Sequence, residues 1–97
     1  MKFISDILIV DDQISNLQLL TDLLEKEGYQ VRPADNPQMA IDSALLKPPG
    51  LILLDVRMPG MDGFELCQHL KQDKRTEHVP IIFISSLNSD LSNFFSI

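Results

Sequence analysis

The stretch LILLDVRMPGMDG, residues 51–63, combines the features that decide the fold. Its first four residues are all apolar, which is typical of a short strand buried on both faces. Asp55 follows them directly, and Pro59, Gly60 and Gly63 then interrupt regular structure. The stretch therefore predicts a central parallel strand that ends in a carboxylate and a loop.

Two other runs have the same all-apolar character. They are ILIV at residues 7–10 and IIFI at residues 81–84, and Pro80 is tolerated before the second because a first strand position need not donate to the ladder. Segment 29–32 mixes polar and apolar residues, so we expect it to form a strand at an edge of the sheet. Both faces of residues 7–10 and 81–84 are expected to be buried.

Helical patterns alternate with these strands. We expect Ser15 to cap the first helix and Gly28 to stop it, Asn36 to begin the second, and Asp62 with Glu65 to form a capping box for the third. The positions expected to face the core are Leu17, Leu20, Leu23, Leu24, Ala40, Ile41, Ala44, Leu45, Phe64, Cys67 and Leu70. The order βαβαβαβ predicts an α/β fold, in which a parallel sheet has helices on both faces.

Composition limits the class of protein. The 97 residues are 44% hydrophobic and 23% charged, as expected for one small globular domain. The net charge of −6 argues against nucleic acid or a membrane surface as partner and favours cations. A single cysteine excludes an internal disulfide, and no run resembles a signal peptide or a transmembrane span. We expect a cytoplasmic domain.

Oxygen-bearing side chains follow each all-apolar strand. Asp11 and Asp12 follow the first, Asp55 the second, and Ser85 and Ser86 the third. Ligands of doubly wound sheets bind outside the carboxyl ends of the strands, so we expect these oxygens to meet. Three carboxylates there would repel one another unless a cation lay between them, and Mg²⁺ prefers such ligands. A carboxylate beside Mg²⁺ can attack phosphorus, and Ser85 can bind a phosphoryl oxygen.

Other titratable residues have simpler interpretations. A single Asp after a strand is usually a turn residue or a helix cap, and we favour that interpretation for Asp35, Asp42 and Asp62. His69 and His78 lack partners at metal-ligand spacing and are expected on the surface. The pair at residues 11 and 12, combined with a third carboxylate after a separate strand, is harder to explain as caps alone.

The motifs ILIVDD, LILLDVRMPGMDG and VPIIFISS, in this order, resemble those of the receiver domain of two-component response regulators. The resemblance covers residues 7 to about 88, and residues 89–97 form a divergent tail. It implies a single receiver domain over residues 1–97 with a flavodoxin-like, doubly wound sheet of strand order 2-1-3-4. The family's fifth strand and last helix have no counterpart in the sequence, so the domain is expected to be incomplete at its C-terminus.

The resemblance also implies roles for individual residues. Asp55 corresponds to the phosphoacceptor, Ser85 to the switch hydroxyl, and Ser86 to the small residue beside it. The implied ligands of Mg²⁺ are Asp11, Asp12, Asp55 and the backbone carbonyl of Arg57. The implied partner is a sensor histidine kinase or a phosphotransfer protein, and the receiver itself catalyses the capture of the phosphoryl group without being an enzyme in any other sense.

Two alternatives remain open at this point. No Lys or Arg follows Arg75 in the 97 residues, so the lysine that the family uses to contact the phosphoryl group has no counterpart. A truncated receiver fragment without phosphorylation-dependent signalling is therefore one alternative. It would act by pairing, for example as a homodimer, through the exposed edge of residues 81–84. The other is an aspartyl-phosphate hydrolase, which is disfavoured because Arg57 occupies the position where its acid would stand.

Overall fold

The computed structural model describes residues 6–84, in which four strands alternate with three helices. The elements are β1 (Asp6–Val10), α1 (Ile14–Lys26), β2 (Gln30–Ala34), α2 (Pro37–Leu46), β3 (Leu51–Asp55), α3 (Gly63–Gln72) and β4 (Ile81–Ile84). The strands are parallel and lie in the order β2-β1-β3-β4. The predicted α/β class and strand order are therefore confirmed. Ser85, Ser86 and the tail at residues 89–97 lie outside the described residues.

The core consists of two layers on either side of β1. This strand lies between β2 and β3, with Leu8 opposite Ile52 in the register. Leu8 and Val10 pack with α2 and α3 on one face, and Ile7 and Ile9 pack with α1 on the other. Because both faces of β1 are covered, an all-apolar sequence is the favourable one for this strand.

Two helix starts agree with the sequence prediction. The Asn36 side chain accepts a hydrogen bond from the backbone N–H of Met39 at 2.9 Å, and Pro37 occupies the first helical position. Asp62 and Glu65 form the expected capping box, with reciprocal bonds of 2.9 and 3.1 Å. Of the helices described between residues 6 and 84, none is long and apolar enough to span a bilayer.

The predicted Ser15 cap is wrong. Helix α1 begins at Ile14, so Ser15 lies inside the first turn, and Gln13 is the N-cap residue without a side-chain cap bond. The turn before the helix is fixed instead by Asp11, whose Oδ1 accepts the backbone N–H of Gln13 at 3.0 Å. The prediction that Gly28 ends α1 is confirmed, because the helix ends at Lys26 and Gly28 follows with a φ of +95°.

Some apolar positions are less buried than the patterns indicate. Phe64 is 56% exposed and Leu23 is exposed as well, so their assignment to the core is wrong. Residues 81–84 are not buried on both faces, since Ile82 is 52% exposed. For Phe64 and residues 81–84 the physical reason is position: β4 pairs only with β3 in the described part of the chain, and the Phe64 ring packs against Phe83 at that margin with centroids 4.8 Å apart.

Arg32 joins three elements at the opposite end of the sheet from Asp55. Its guanidinium forms a two-pronged ion pair with Asp6 of β1, with distances of 3.0 and 2.8 Å. It also donates to the carbonyl oxygens of Ser43 and Lys47, which belong to the last turn and the end of α2. One side chain on β2 thereby binds the carbonyl of Ser43, which also accepts the backbone N–H of Lys47, and the carbonyl of Lys47 at the end of α2.

We predict that Arg32→Met lowers the free energy of unfolding by about 1–3 kcal/mol, because it leaves the Asp6 carboxylate and two carbonyls without their charged donor. The measurement is chemical denaturation of both proteins under the same conditions. Arg75→Met is the matched control, since the ion pair of Arg75 with Asp73 is exposed and stabilises little. Equal losses for both variants would contradict the prediction.

Candidate functional site

Three predicted carboxylates meet at the carboxyl edge of the sheet. Asp11 directly follows β1 and Asp55 ends β3, and these strands are parallel neighbours with Val10 opposite Leu54. One oxygen of each of Asp11, Asp12 and Asp55 lies within 4.8 Å of the other two. Asp12 is the most exposed of the three. The convergence expected from the strand ends is therefore present.

Asp11 is fully buried and fixed by hydrogen bonds at both oxygens. Its Oδ1 accepts the backbone N–H of Gln13 at 3.0 Å, and its Oδ2 accepts the side-chain amide of Asn16 at 3.1 Å. The backbone N–H of Asp11 donates to the carbonyl of Ala34 in β2 at 3.1 Å. Sequence reasoning missed Asn16; the available signal was an amide in the first turn of an otherwise leucine-rich inner face.

Asp55 is 1% exposed and only partly satisfied. Its Oδ1 accepts the backbone N–H of Arg57 at 3.4 Å, whereas its Oδ2 is buried without a hydrogen-bond partner in the described structure. Burial, followed by the neighbouring charge of Asp11, raises the pKa of Asp55 from 3.8 to about 6, with a smaller contribution from Asp12. The Arg57 N–H opposes that rise because it stabilises the carboxylate.

These features fit a hard divalent cation. A buried carboxylate oxygen without a donor is costly unless a positive charge faces it, and three carboxylates in reach supply the oxygen ligands that Mg²⁺ prefers. Arg57 lies two residues beyond Asp55 and its side chain is exposed. His69 and His78 are exposed and do not belong to this cluster. Ser85 and Ser86 follow β4 outside the described residues, so their predicted roles stay predictions.

Gly63 brings α3 against the backbone of the carboxylate loop. Its N–H donates to the carbonyl of Val56 at 2.9 Å. A Cβ at this position would collide with the carbonyl oxygen of Asp55 and lie 2.9 Å from the Cα of Val56. Gly60 has a different reason to be glycine, since its φ is +84°. The sequence marks both residues as loop formers, and the structure shows that only Gly63 touches the strand end.

Comparison with known proteins identifies the class. The model of the response regulator receiver domain matches residues 7–95. The protein PilH of Pseudomonas aeruginosa is 36% identical over 84 residues, which cover 87% of this chain and 69% of PilH. The response regulator PleD of Caulobacter vibrioides is 45% identical over 82 residues, which cover 84% of this chain and 18% of PleD. The chain belongs to the receiver domain family of response regulators, which act in two-component signalling.

Solved structures agree with this assignment. The chemotaxis protein CheY4 of Vibrio cholerae superposes with a TM-score of 0.81 and 28% identity, covering 94% of this chain and 76% of CheY4. The N-terminal domain of a response regulator receiver protein from Methanoculleus marisnigri gives a TM-score of 0.78 and 32% identity, covering 80% and 63% of the two chains. Because the chain spans less than a fifth of PleD, it is similar to one part of that protein.

We predict that Asp55 titrates near pH 6 when no divalent cation is present, which carbon-13 NMR of its carboxyl group measures. The folded chain then holds an extra proton between pH 3.8, the ordinary value, and about 6. The contribution of Asp55 to stability therefore falls as the pH rises through that window, since the unfolded state binds fewer protons there. Chemical denaturation of the wild type and of Asp55→Asn across the window measures this slope.

Asp11→Asn provides the matched comparison for the titration. Removing the Asp11 charge lowers the pKa of Asp55, but burial keeps it above 3.8. Asp42→Asn is the control, because Asp42 is exposed on α2 and bonded to Gln38. A titration midpoint for Asp55 that is the same in the wild type and in Asp11→Asn would contradict the contribution assigned to the Asp11 charge.

We further predict that Gly63→Ala destabilises the fold by about 1–3 kcal/mol, because the added methyl collides with backbone atoms that cannot rotate away. It also shifts the amide NMR signals of Asp55 and Val56. Gly28→Ala is the control: it costs about 1 kcal/mol through its positive φ and leaves those signals in place. Unchanged Asp55 signals in Gly63→Ala would show that the contact does not position the site.

Proposed function

We propose that this domain accepts a phosphoryl group on Asp55 in phosphorelay signal transduction, with Mg²⁺ bound beside it. The observation that supports this most is the buried Oδ2 of Asp55, which has no donor among residues 6–84 and lies beside two further carboxylates. A carboxylate with one oxygen positioned by the Arg57 N–H and the other free is suited to in-line attack on phosphorus.

The residues that would hold Mg²⁺ are Asp11, Asp12, Asp55 and the backbone carbonyl of Arg57. The ion would neutralise the negative charge that gathers when a phosphoryl group approaches three carboxylates. The exposed position of Asp12 leaves one side of the cluster open to solvent, so a cation and a phosphoryl group can enter there. The two buried carboxylates would form the fixed part of the site.

The transfer itself forms one bond and breaks one. The Oδ2 of Asp55 forms the new bond to phosphorus, and the bond from phosphorus to a histidine nitrogen of the donor breaks, after which that nitrogen takes up a proton. The donor in this proposal is a sensor histidine kinase or a phosphotransfer protein of the cytoplasm. In this proposal the receiver positions the reacting groups and does no other chemistry. The Ser85 hydroxyl would donate a hydrogen bond to a phosphoryl oxygen, and Ser86 would be the small residue beside it.

The two alternatives have different standing. The aspartyl-phosphate hydrolase is disfavoured by the family assignment and by the exposed Arg57 at the position of its second acid. Pairing through the outer edge of β4 stays a prediction: no strand among residues 6–84 pairs with that edge, and Ile82 on it is exposed. A homodimer formed in this way is compatible with phosphorylation of Asp55, because that residue lies on β3.

We predict that phosphoramidate, a small donor with a phosphorus–nitrogen bond, adds one phosphoryl group to the wild-type chain in the presence of Mg²⁺. Asp55→Asn abolishes this addition because the amide is not a nucleophile. Intact-mass spectrometry measures the addition, and treatment with hydroxylamine, which cleaves an acyl phosphate and leaves a phosphate ester intact, identifies the linkage.

Asp62→Asn is the matched control for this experiment. It removes a carboxylate seven positions beyond Asp55 while keeping a good capping residue for α3, so the fold is retained and labelling should proceed. Labelling of Asp55→Asn at the wild-type level would overturn the assignment of the phosphoacceptor. Labelling of the wild type that is the same in EDTA would overturn the role of Mg²⁺.

A further inference from the structure

We infer that Asn16 is the positioning residue for Asp11: its side-chain amide fixes the Asp11 carboxylate so that the carboxylate faces the cation site with its full negative charge. The inference rests on the proposed function, because it concerns the affinity of the same site for Mg²⁺. It assigns to α1 a part in the site, through a residue that is neither a ligand nor a nucleophile.

The contact is buried and specific. Asn16 is 3% exposed, and its Nδ2 donates to Asp11 Oδ2 at 3.1 Å. The backbone N–H of Gln13 donates to the other oxygen at 3.0 Å. Two donors on two different oxygens fix the plane of the carboxylate, whereas one donor would leave it free to rotate about that bond. Asp11 therefore has one orientation relative to Asp55.

The burial of Asn16 needs this partner. A buried amide costs free energy unless it is hydrogen-bonded, and Leu17, its neighbour on α1, shows that this end of the helix also packs on the apolar core. Helix propensity alone would favour leucine over asparagine at a buried helical position. The hydrogen bond to Asp11 explains why an amide is present where packing favours an apolar side chain.

The neutrality of the donor matters for the chemistry. An ionised carboxylate only accepts hydrogen bonds, and both donors to Asp11 are uncharged amides. A lysine or arginine at residue 16 would also hold Asp11, but its charge would compensate the carboxylate and compete with a cation for it. An amide orients Asp11 and leaves the charge of the cluster for Mg²⁺.

The test is the dissociation constant of Mg²⁺, measured by amide NMR titration on the full chain. Loss of an outer partner of a metal ligand typically weakens metal binding about 10–100-fold, so Asn16→Leu, which keeps the volume and removes the donor, should raise the constant about tenfold. Gln18→Leu is the matched control, because it replaces an exposed amide on the same helix and should leave the constant unchanged.

A double-mutant cycle with Asp11→Ala separates positioning from a purely structural role. If Asn16 acts through Asp11, the effect of Asn16→Leu on the Mg²⁺ constant disappears once Asp11 is alanine. A purely structural role would lower the thermal midpoint in EDTA in both backgrounds without this dependence. Should Asn16→Leu fail to fold, Asn16→Ala enters the same cycle with the same expectation.

The outcomes are distinct for the two proposals. The inference is overturned if Asn16→Leu binds Mg²⁺ with the dissociation constant of the wild type. It is also overturned if Asn16→Leu weakens Mg²⁺ binding by the same factor whether residue 11 is aspartate or alanine. Either result leaves the proposed function standing. A wild-type chain that does not bind Mg²⁺ overturns the metal site of the proposed function and the inference with it. A chain that binds Mg²⁺ with the expected Asn16 dependence, yet gains no phosphoryl group on Asp55, overturns only the proposed transfer.

Discussion

The structure depends on holding three negative charges together at one end of a small sheet. Burial and mutual repulsion both act against this arrangement, and they raise the pKa of Asp55 to about 6. Opposing them are uncharged donors: the backbone N–H groups of Gln13 and Arg57 and the side chain of Asn16. The domain therefore maintains an unfavourable concentration of negative charge by geometry, and clustered carboxylate oxygens of this kind are the ligands that a hard divalent cation prefers.

The sequence predicted the parts of the fold that local signals determine. All-apolar runs predicted the inner strands. The Asp62–Glu65 pair predicted a capping box, and both of its reciprocal hydrogen bonds are present. Convergence of the carboxylates was predictable because parallel strands end at a common edge. The role of Asn16 was not, since nothing in a helical pattern says which residue of another element an inward amide will meet.

The errors have a common physical origin in tertiary context. Ser15 is a good capping residue, but the Asp11 carboxylate, fixed for the site, already determines the turn before α1. Phe64 and Ile82 have the periodicity of buried residues, yet burial requires a neighbouring element as well as an apolar side chain. Periodicity gives the face on which a residue lies; it does not give how far the neighbouring layer extends.

The close approach at Gly63 has a mechanical consequence. Helix α3 touches the end of β3 through backbone atoms, and no flexible side chain lies between them to absorb a displacement. Phe64, the next residue of α3, packs its ring on Phe83 of β4, so the first turn of this helix contacts both β3 and β4. The absence of one methyl group thus lets the strand end and the helix meet backbone to backbone, so a displacement of the Asp55 peptide toward α3 must also displace the start of that helix.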